Sequence, residues 1–372
     1  LNAYRFSIEW ARIEPEQGVY DENEIEHYRK VLTCCRENGV EPIVTMMHFT
    51  SPKWLIENGG WENEATVEAF KNYCQYVTEQ LGDLMHYVCT INEANMGIQV
   101  AAISARYRAQ MMEKMQRMQQ GGAEEKKDLE GTAQVGMNFN DMMANMQKQK
   151  EENVEIFGTD TLQTFVSART PEGDMLVIRA HQAARAAMKA VKPELQIGLT
   201  LSLHDIQAQE GGEETAAKEW VDEFTHYVPY IKEDDFFGLQ NYSRSLIGPN
   251  GILPVPEGAE ITQMDYEYYP EGLEHVIRRV YEEMPMPIMV TENGIATADD
   301  TRRVAYIQTA MKGVENCIQD GIPVKGYMYW SMMDNFEWQK GFGMTFGLIS
   351  VDRTTQTRTA KPSLTVLGNY TK

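Results

Sequence analysis

No run of about eighteen or more apolar residues occurs in the 372-residue chain, so no stretch of it is read as a transmembrane helix. A basic segment followed by an apolar one, the mark of a secretory leader, is absent too, although the chain opens on Leu1 rather than methionine and a processed or missing N-terminus stays open. Positive charge is in short supply. The 34 Lys and Arg stand against 55 Asp and Glu, a formal net charge of −21. Nucleic acid and anionic membrane would both be repelled, and the acidity reads as a solubility device. Cysteine is sparse: the five (Cys34, Cys35, Cys74, Cys89, Cys317) are odd in number and lack metal-ligand spacing. They read as reduced core or helix thiols of a cytoplasmic protein.

What the chain does have is a regular alternation of strand-like and helix-like segments. Residues 4–10 alternate apolar and polar as a first strand, and 21–38 follow as a helix with acidic residues early and Gly39 at its close. A buried strand over 42–48 ends in His48. A helix over 63–81 carries Phe70, Tyr73, Cys74 and Val77 on one face, and an apolar run then leads into Asn92 and Glu93. Farther on, helices over 174–191, 214–224, 272–283 and 301–320 alternate with strands over 196–203, 235–240, 287–292 and 325–330. Such alternation calls for a parallel sheet with helices outside. Seven strands are counted where a closed barrel needs eight. The expected fold is therefore α/β: a single-domain (β/α)8 TIM barrel over 1–372 that lacks its first β-α unit, the missing strand being expected ahead of Leu1.

The section 95–173 breaks the alternation and is expected to be an insertion or lid. It is rich in methionine: Met111, Met112, Met115, Met118, Met137, Met142, Met143 and Met146, with Gly121-Gly122 dividing two helix-prone halves. An amphipathic helical lid packed on the barrel is one reading. A lid touching an apolar leaving group, or an oligomer contact, is the other, since Met suits surfaces that accept varied apolar partners.

Two of the strands share a design. The run Val88-Cys89-Thr90-Ile91 breaks into Asn92-Glu93, and Pro287-Ile288-Met289-Val290-Thr291 breaks into Glu292-Asn293-Gly294. Each hydrophobic strand delivers one glutamate to its carboxyl end, and in a parallel barrel two such carboxylates can face each other across the mouth. Glycoside hydrolysis requires that arrangement.

At these residues the chain resembles glycoside hydrolase family 1, the β-glucosidase family. Thr90-Ile91-Asn92-Glu93-Ala94 is similar to its T-x-N-E-P acid/base motif, and Thr291-Glu292-Asn293-Gly294 to its T-E-N-G nucleophile motif. Further matches are Tyr4-Arg5-Phe6-Ser7-Ile8-Glu9-Trp10, His48-Phe49-Thr50, Gly59-Gly60-Trp61, and the run from Tyr329-Trp330-Ser331 to Asn335-Phe336-Glu337-Trp338. The resemblance implies a retaining mechanism with Glu292 as nucleophile and Glu93 as acid/base, and no metal or cofactor. It implies that Arg5 and Tyr242 hold Glu292, and that Asn92 and His48 bind the sugar 2- and 3-hydroxyls. Trp330 would lie under the ring, with Glu337 on the 4- and 6-hydroxyls and Trp338 on the 3-hydroxyl. An acidic Glu337 argues against a phosphorylated sugar. The family's first strand carries a glutamine for the 3- and 4-hydroxyls, a segment not found here.

Four positions depart from the pattern: Ala94 for proline, which is expected to loosen the backbone after the acid/base, Phe49 for tryptophan, Gln240 for asparagine and Thr345 for arginine. The reading is a β-glucosidase-like retaining enzyme acting on a β-glucoside or oligosaccharide, with galactosides or fucosides as further substrates. The alternatives are a barrel that has lost catalysis and binds glycans or acts as a scaffold, and a transglycosidase.

Overall fold

The computed structural model describes residues 1–119 and 139–371. Its centre is a ring of parallel strands: β1 (Ala3–Ser7), β2 (Glu41–Met47), β3 (Tyr87–Ile91), β4 (Gln196–Gly198), β5 (Thr200–Ser202), β6 (Phe237–Gln240), β7 (Ile288–Asn293) and β8 (Val324–Tyr329). One ladder runs β1-β2-β3-β4 and a second runs β5-β6-β7-β8. β4 and β5 are two halves of one strand that changes partner at Leu199. Tyr87 pairs with Gln196 on one side, and Thr200 pairs with Gly238 on the other. Gly198 permits the change, because a Cβ there would stand 2.2 Å from the Phe236 carbonyl oxygen.

The helices outside the ring follow from local chemistry. In α1 (Glu22–Glu37) the Asp21 side chain accepts from the Asn23 amide at 2.8 Å, Glu22 and Glu24 occupy the first turn, and Ile25, Tyr28 and Leu32 turn inward. Gly39, at φ +67°, takes the left-handed conformation just beyond its end. α2 (Ala65–Leu81) buries the face read from the sequence, Phe70, Tyr73, Cys74 and Val77. The Tyr73 hydroxyl lies 3.0 Å from the carbonyl oxygens of both Ile8 and Met46 and so pins the exits of β1 and β2 together. After α3 (Met96–Gln119) and α4 (Phe139–Phe157) come α5 (Pro171–Val191), capped by Thr170, then α6 (Glu213–Trp220), α7 (Gly272–Glu283) and α8 (Asp300–Gln319), capped by Asp299.

Several expectations need correction. The first strand ends at Ser7, not at residue 10. Glu9 accepts from the Ala11 amide at 3.3 Å and caps a helical turn at Trp10–Ile13, so a local cap overrides an alternating pattern. The helix over 214–224 continues past Trp220 as a wider turn, Val221–Thr225. A small sheet over the barrel mouth, from Asp205–Ala208, Arg244–Gly248 and Gly251–Ile252, was not anticipated. Nor was the hairpin Ile349–Val351 with Arg358–Ala360. Of the insertion expected over 95–173, the two helix-prone halves stand as α3 and α4, with Met112 63% exposed on α3, while Gly121-Gly122 and Met137 between them lie outside the described residues. Among the described residues no helix is long and apolar enough to cross a membrane.

Among the described residues no ladder joins β8 to β1. Between these two facing edges runs a cavity of about 580 Å³. Ala3, Phe6, Val40, Met328 and Leu348 line it, and it extends to Arg5, His48 and Trp330 at the strand ends.

Candidate active site

The carboxyl ends of the strands converge on a pit lined by His48, Phe49, Glu93, Tyr242, Glu292, Trp330, Glu337, Trp338 and Phe346. Glu93 reaches it from the turn after β3, where its backbone takes the left-handed region (φ +44°). A non-glycine residue holds that conformation only when its surroundings fix it. Here the Glu93 amide donates to Thr200 Oγ1 at 2.9 Å, the Ala94 amide donates to the Thr200 carbonyl at 2.9 Å, and Arg169 Nη1 donates to the Ala94 carbonyl at 2.9 Å. Asn95 bonds to β5 in both directions through Ser202. The loosening expected from Ala94 is therefore corrected: its amide makes a bond that proline, lacking an N–H, could not.

Glu292 lies near the end of β7. Arg5 Nη1 donates to its Oε1 at 2.6 Å and the Tyr242 hydroxyl donates to its Oε2 at 2.6 Å. The side chains of Arg5 and Glu292 are only 6% and 5% exposed. Gly294 follows because a Cβ there would fall 2.0 Å from the Trp330 carbonyl oxygen. The next residue back, Asn293, bonds to the Asn241 carbonyl and to the hydroxyls of Tyr306 and Tyr327, which fixes the strand end.

The same guanidinium serves Asn92. Arg5 Nη2 donates to Asn92 Oδ1 at 2.5 Å, Gln240 Nε2 donates to that oxygen at 2.7 Å, and Asn92 Nδ2 stands 3.2 Å from His48 Nε2. Burial and the Arg5 charge push the His48 pKa down to about 3, so its ring is neutral and its Nε2 accepts from Asn92. Trp330 and Trp338 flank His48, with ring centroids 5.7 and 6.0 Å away.

Three carboxyl groups share the pit with one guanidinium. Burial, and then the charge of Glu292, hold the Glu93 pKa well above the usual carboxylate range, with Arg5 opposing. Burial and the Glu292 charge push Glu337 up to about 8, and a hydrogen bond from Trp330 opposes. Glu93 Oε2, Glu337 Oε2, Gln240 Oε1 and the Tyr266 hydroxyl are buried without hydrogen-bond partners. Burial pushes one strand-end carboxyl toward its protonated form while the other accepts from a cation and a phenol, the kind of unequal pair that acid-assisted displacement at a sugar carbon needs.

The profile of Glycosyl hydrolase family 1 matches residues 1–370. The chain belongs to glycosyl hydrolase family 1. It is a glycosyl hydrolase of the β-glucosidase group in its similarity to known proteins. Beta-glucosidase A of Thermotoga maritima is 27% identical over 391 residues, an alignment that covers 98% of this chain and 80% of that protein. The crystal structure of the β-glycosidase BGL167 is 41% identical, with a TM-score of 0.83, covering 99% of this chain and 82% of that one. The apo structure of the β-glucosidase 1317 is 37% identical, with a TM-score of 0.84 and coverage of 99% and 83%.

The residues that the family motifs single out all come to one place. Glu93, Glu292, His48, Tyr242, Trp330, Glu337 and Trp338 line the pit, and Arg5 and Asn92 stand directly behind it through their bonds to Glu292 and His48. Sequence reasoning gave no role to Thr200, Phe346, Tyr266 or Gln240. Thr200 begins β5 and Gln240 ends β6, and a strand end in a parallel barrel is the signal that could have singled out Gln240.

Glu337 gives a pH signature of its own. Below its ordinary pKa of 4.5 it is protonated both folded and unfolded; between 4.5 and about 8 only the folded chain keeps the proton. Stability therefore falls as pH rises through that window. Urea unfolding at about pH 5 and about pH 8 should show a smaller stability loss in Glu337→Gln than in the parent chain. Equal losses in the two proteins would contradict the assignment.

Proposed function

We propose that the chain is a retaining β-glycosidase that removes terminal β-D-glucosyl residues, with β-galactosyl and β-fucosyl groups as neighbouring substrates, and that it uses Glu292 and Glu93 in a double displacement. The observation that carries this reading is the unequal pair of strand-end glutamates on one pit, Glu292 bonded to Arg5 and Tyr242 and Glu93 pushed by burial toward its protonated form. In the first step a Glu292 oxygen attacks the anomeric carbon, the glycosidic C–O bond breaks, and the Glu93 proton goes to the departing oxygen. In the second step Glu93, now a carboxylate, takes a proton from water, the water oxygen bonds to the anomeric carbon, and Glu292 leaves with its electron pair. Formation of the ester removes the negative charge of Glu292. That same charge raises the Glu93 pKa, so its loss lowers that pKa and favours the carboxylate form of Glu93 at the step where it serves as base.

Asn92 binds the 2-hydroxyl, His48 the 3-hydroxyl, and Glu337 and Trp338 the far side of the ring, while Trp330 offers an apolar face to the sugar C–H bonds. The unpartnered Oε2 of Glu337 suits a sugar hydroxyl. The five free thiols, with Cys74, Cys89 and Cys317 buried, suit the cytoplasm as the location.

The proposal extends to the barrel wall. An eighth parallel strand, followed by its helix, fills the slot between β8 and β1. Among the described residues both edges there are unpaired and parallel in sense, the slot is apolar, and its upper end opens onto Arg5, His48 and Trp330. An unfilled edge of this kind is an association hazard. The aligned relative is longer, as the 80% coverage states.

Two measurements test these readings. Glu292→Gly should abolish turnover of an aryl β-glucoside, with partial recovery in azide or formate, while Glu93→Ala should keep most activity on dinitrophenyl glucosides and lose it on alkyl glucosides. Because Glu93 acts protonated and its pKa is raised, kcat/KM should fall only above the usual carboxyl range, and that alkaline limb should vanish in Glu93→Ala. Undiminished turnover by Glu292→Gly would refute the nucleophile. For the slot, a strand–helix unit fused ahead of Leu1 should slow amide exchange in β1 and β8 and raise aryl glucosidase activity. Unchanged exchange would refute the eighth strand.

A further inference from the structure

We infer that Gln240 is a positioning residue that holds the Asn92 amide in its sugar-binding orientation throughout the catalytic cycle, an inference that rests on the role of Asn92 proposed above. Gln240 closes β6, is fully buried, and sits in register with Glu292 on β7. Its Nε2 donates to Asn92 Oδ1 at 2.7 Å, from the side of the barrel opposite to Arg5 in strand order.

The Asn92 oxygen therefore has two donors, one from Arg5 and one from Gln240. A flipped amide would set its NH2 group against both, with two buried donors left facing a third. The correct rotamer leaves Nδ2 for His48 and for the pit, so Asn92 offers a hydrogen-bond donor to a hydroxyl rather than an acceptor.

The two tethers differ in what else they do. Arg5 is ion-paired with Glu292 and hydrogen-bonded to the Thr291 carbonyl. When Glu292 forms an ester its charge disappears, and the attraction that aligns the guanidinium weakens with it. Gln240 is neutral and belongs to another strand, so its bond to Asn92 does not depend on the charge of Glu292. It holds the amide in both half-reactions. A glutamine also reaches one methylene farther than asparagine, the residue frequent at this place in the family motif. The Gln240 Oε1, buried and without a partner, leaves this side chain no competing hydrogen bond that would draw it away from Asn92.

The test compares nitrophenyl β-glucoside with its 2-deoxy counterpart, using Gln240→Met, which keeps the length but has no donor. On the parent sugar kcat/KM should fall roughly tenfold, the scale of one neutral hydrogen bond. On the 2-deoxy sugar it should fall less than about twofold, because the hydroxyl that Asn92 serves is gone. Gln240→Ala should show the same selectivity, which guards against a packing defect peculiar to Met, and adding Gln240→Met to Asn92→Ala should cost nothing more. Equal losses on the two sugars, or an additive double variant, would overturn the inference while leaving Asn92 in place. If Asn92→Ala itself fails to discriminate between the sugars, the reading of Asn92 falls and the inference falls with it.

Discussion

The bond between Arg5 and Glu292 is the constraint on which the rest of the site depends. Both side chains are almost fully buried, and the pit around them holds two further carboxyl groups, Glu93 and Glu337. A buried carboxylate without a counter-charge costs several kcal/mol, so the place of the one guanidinium matters to all three acids. Arg5 meets Glu292 at 2.6 Å, while burial and then the Glu292 charge push the Glu93 and Glu337 carboxyls up from the usual range. Electrostatic roles in this pit follow from the position of a single guanidinium on β1.

That position is secured from outside the pit. β1 is paired with β2 in parallel register from Ala3–Glu41 to Ser7–Thr45, and Tyr73 on α2 ties the exits of both strands. Glu93 needs a separate device, since its backbone lies in a region that L-residues seldom occupy. Thr200 supplies it, with hydroxyl and carbonyl each taking one amide of the turn. The strand that carries Thr200 is also the one that changes partner, so the join between the two ladders and the anchoring of Glu93 fall within three residues.

Much of this was legible beforehand. Alternating strands and one-faced helices give a parallel barrel, and the two apolar runs that end in glutamate put Glu93 and Glu292 at strand ends on the same side of it. The helix faces of α1 and α2 were legible through residues such as Ile25 and Phe70. The cap at Glu9, the break at Leu199 and the sheet from Asp205–Ala208 and Arg244–Gly248 were not, since each depends on a partner distant in the chain or on a turn shorter than any periodicity can register. Gln240 could be seen as a departure from the family pattern; its service to Asn92 could not, because 148 residues separate them.

The sequence alone determined which chemical groups are present and at which strand ends, because hydrophobic period and strand termini are local properties. Tertiary structure decided how those groups share protons and hydrogen bonds. Ionisation in a buried pit depends on desolvation and on distances between side chains of different strands, and chain order says nothing about either until the barrel is assembled.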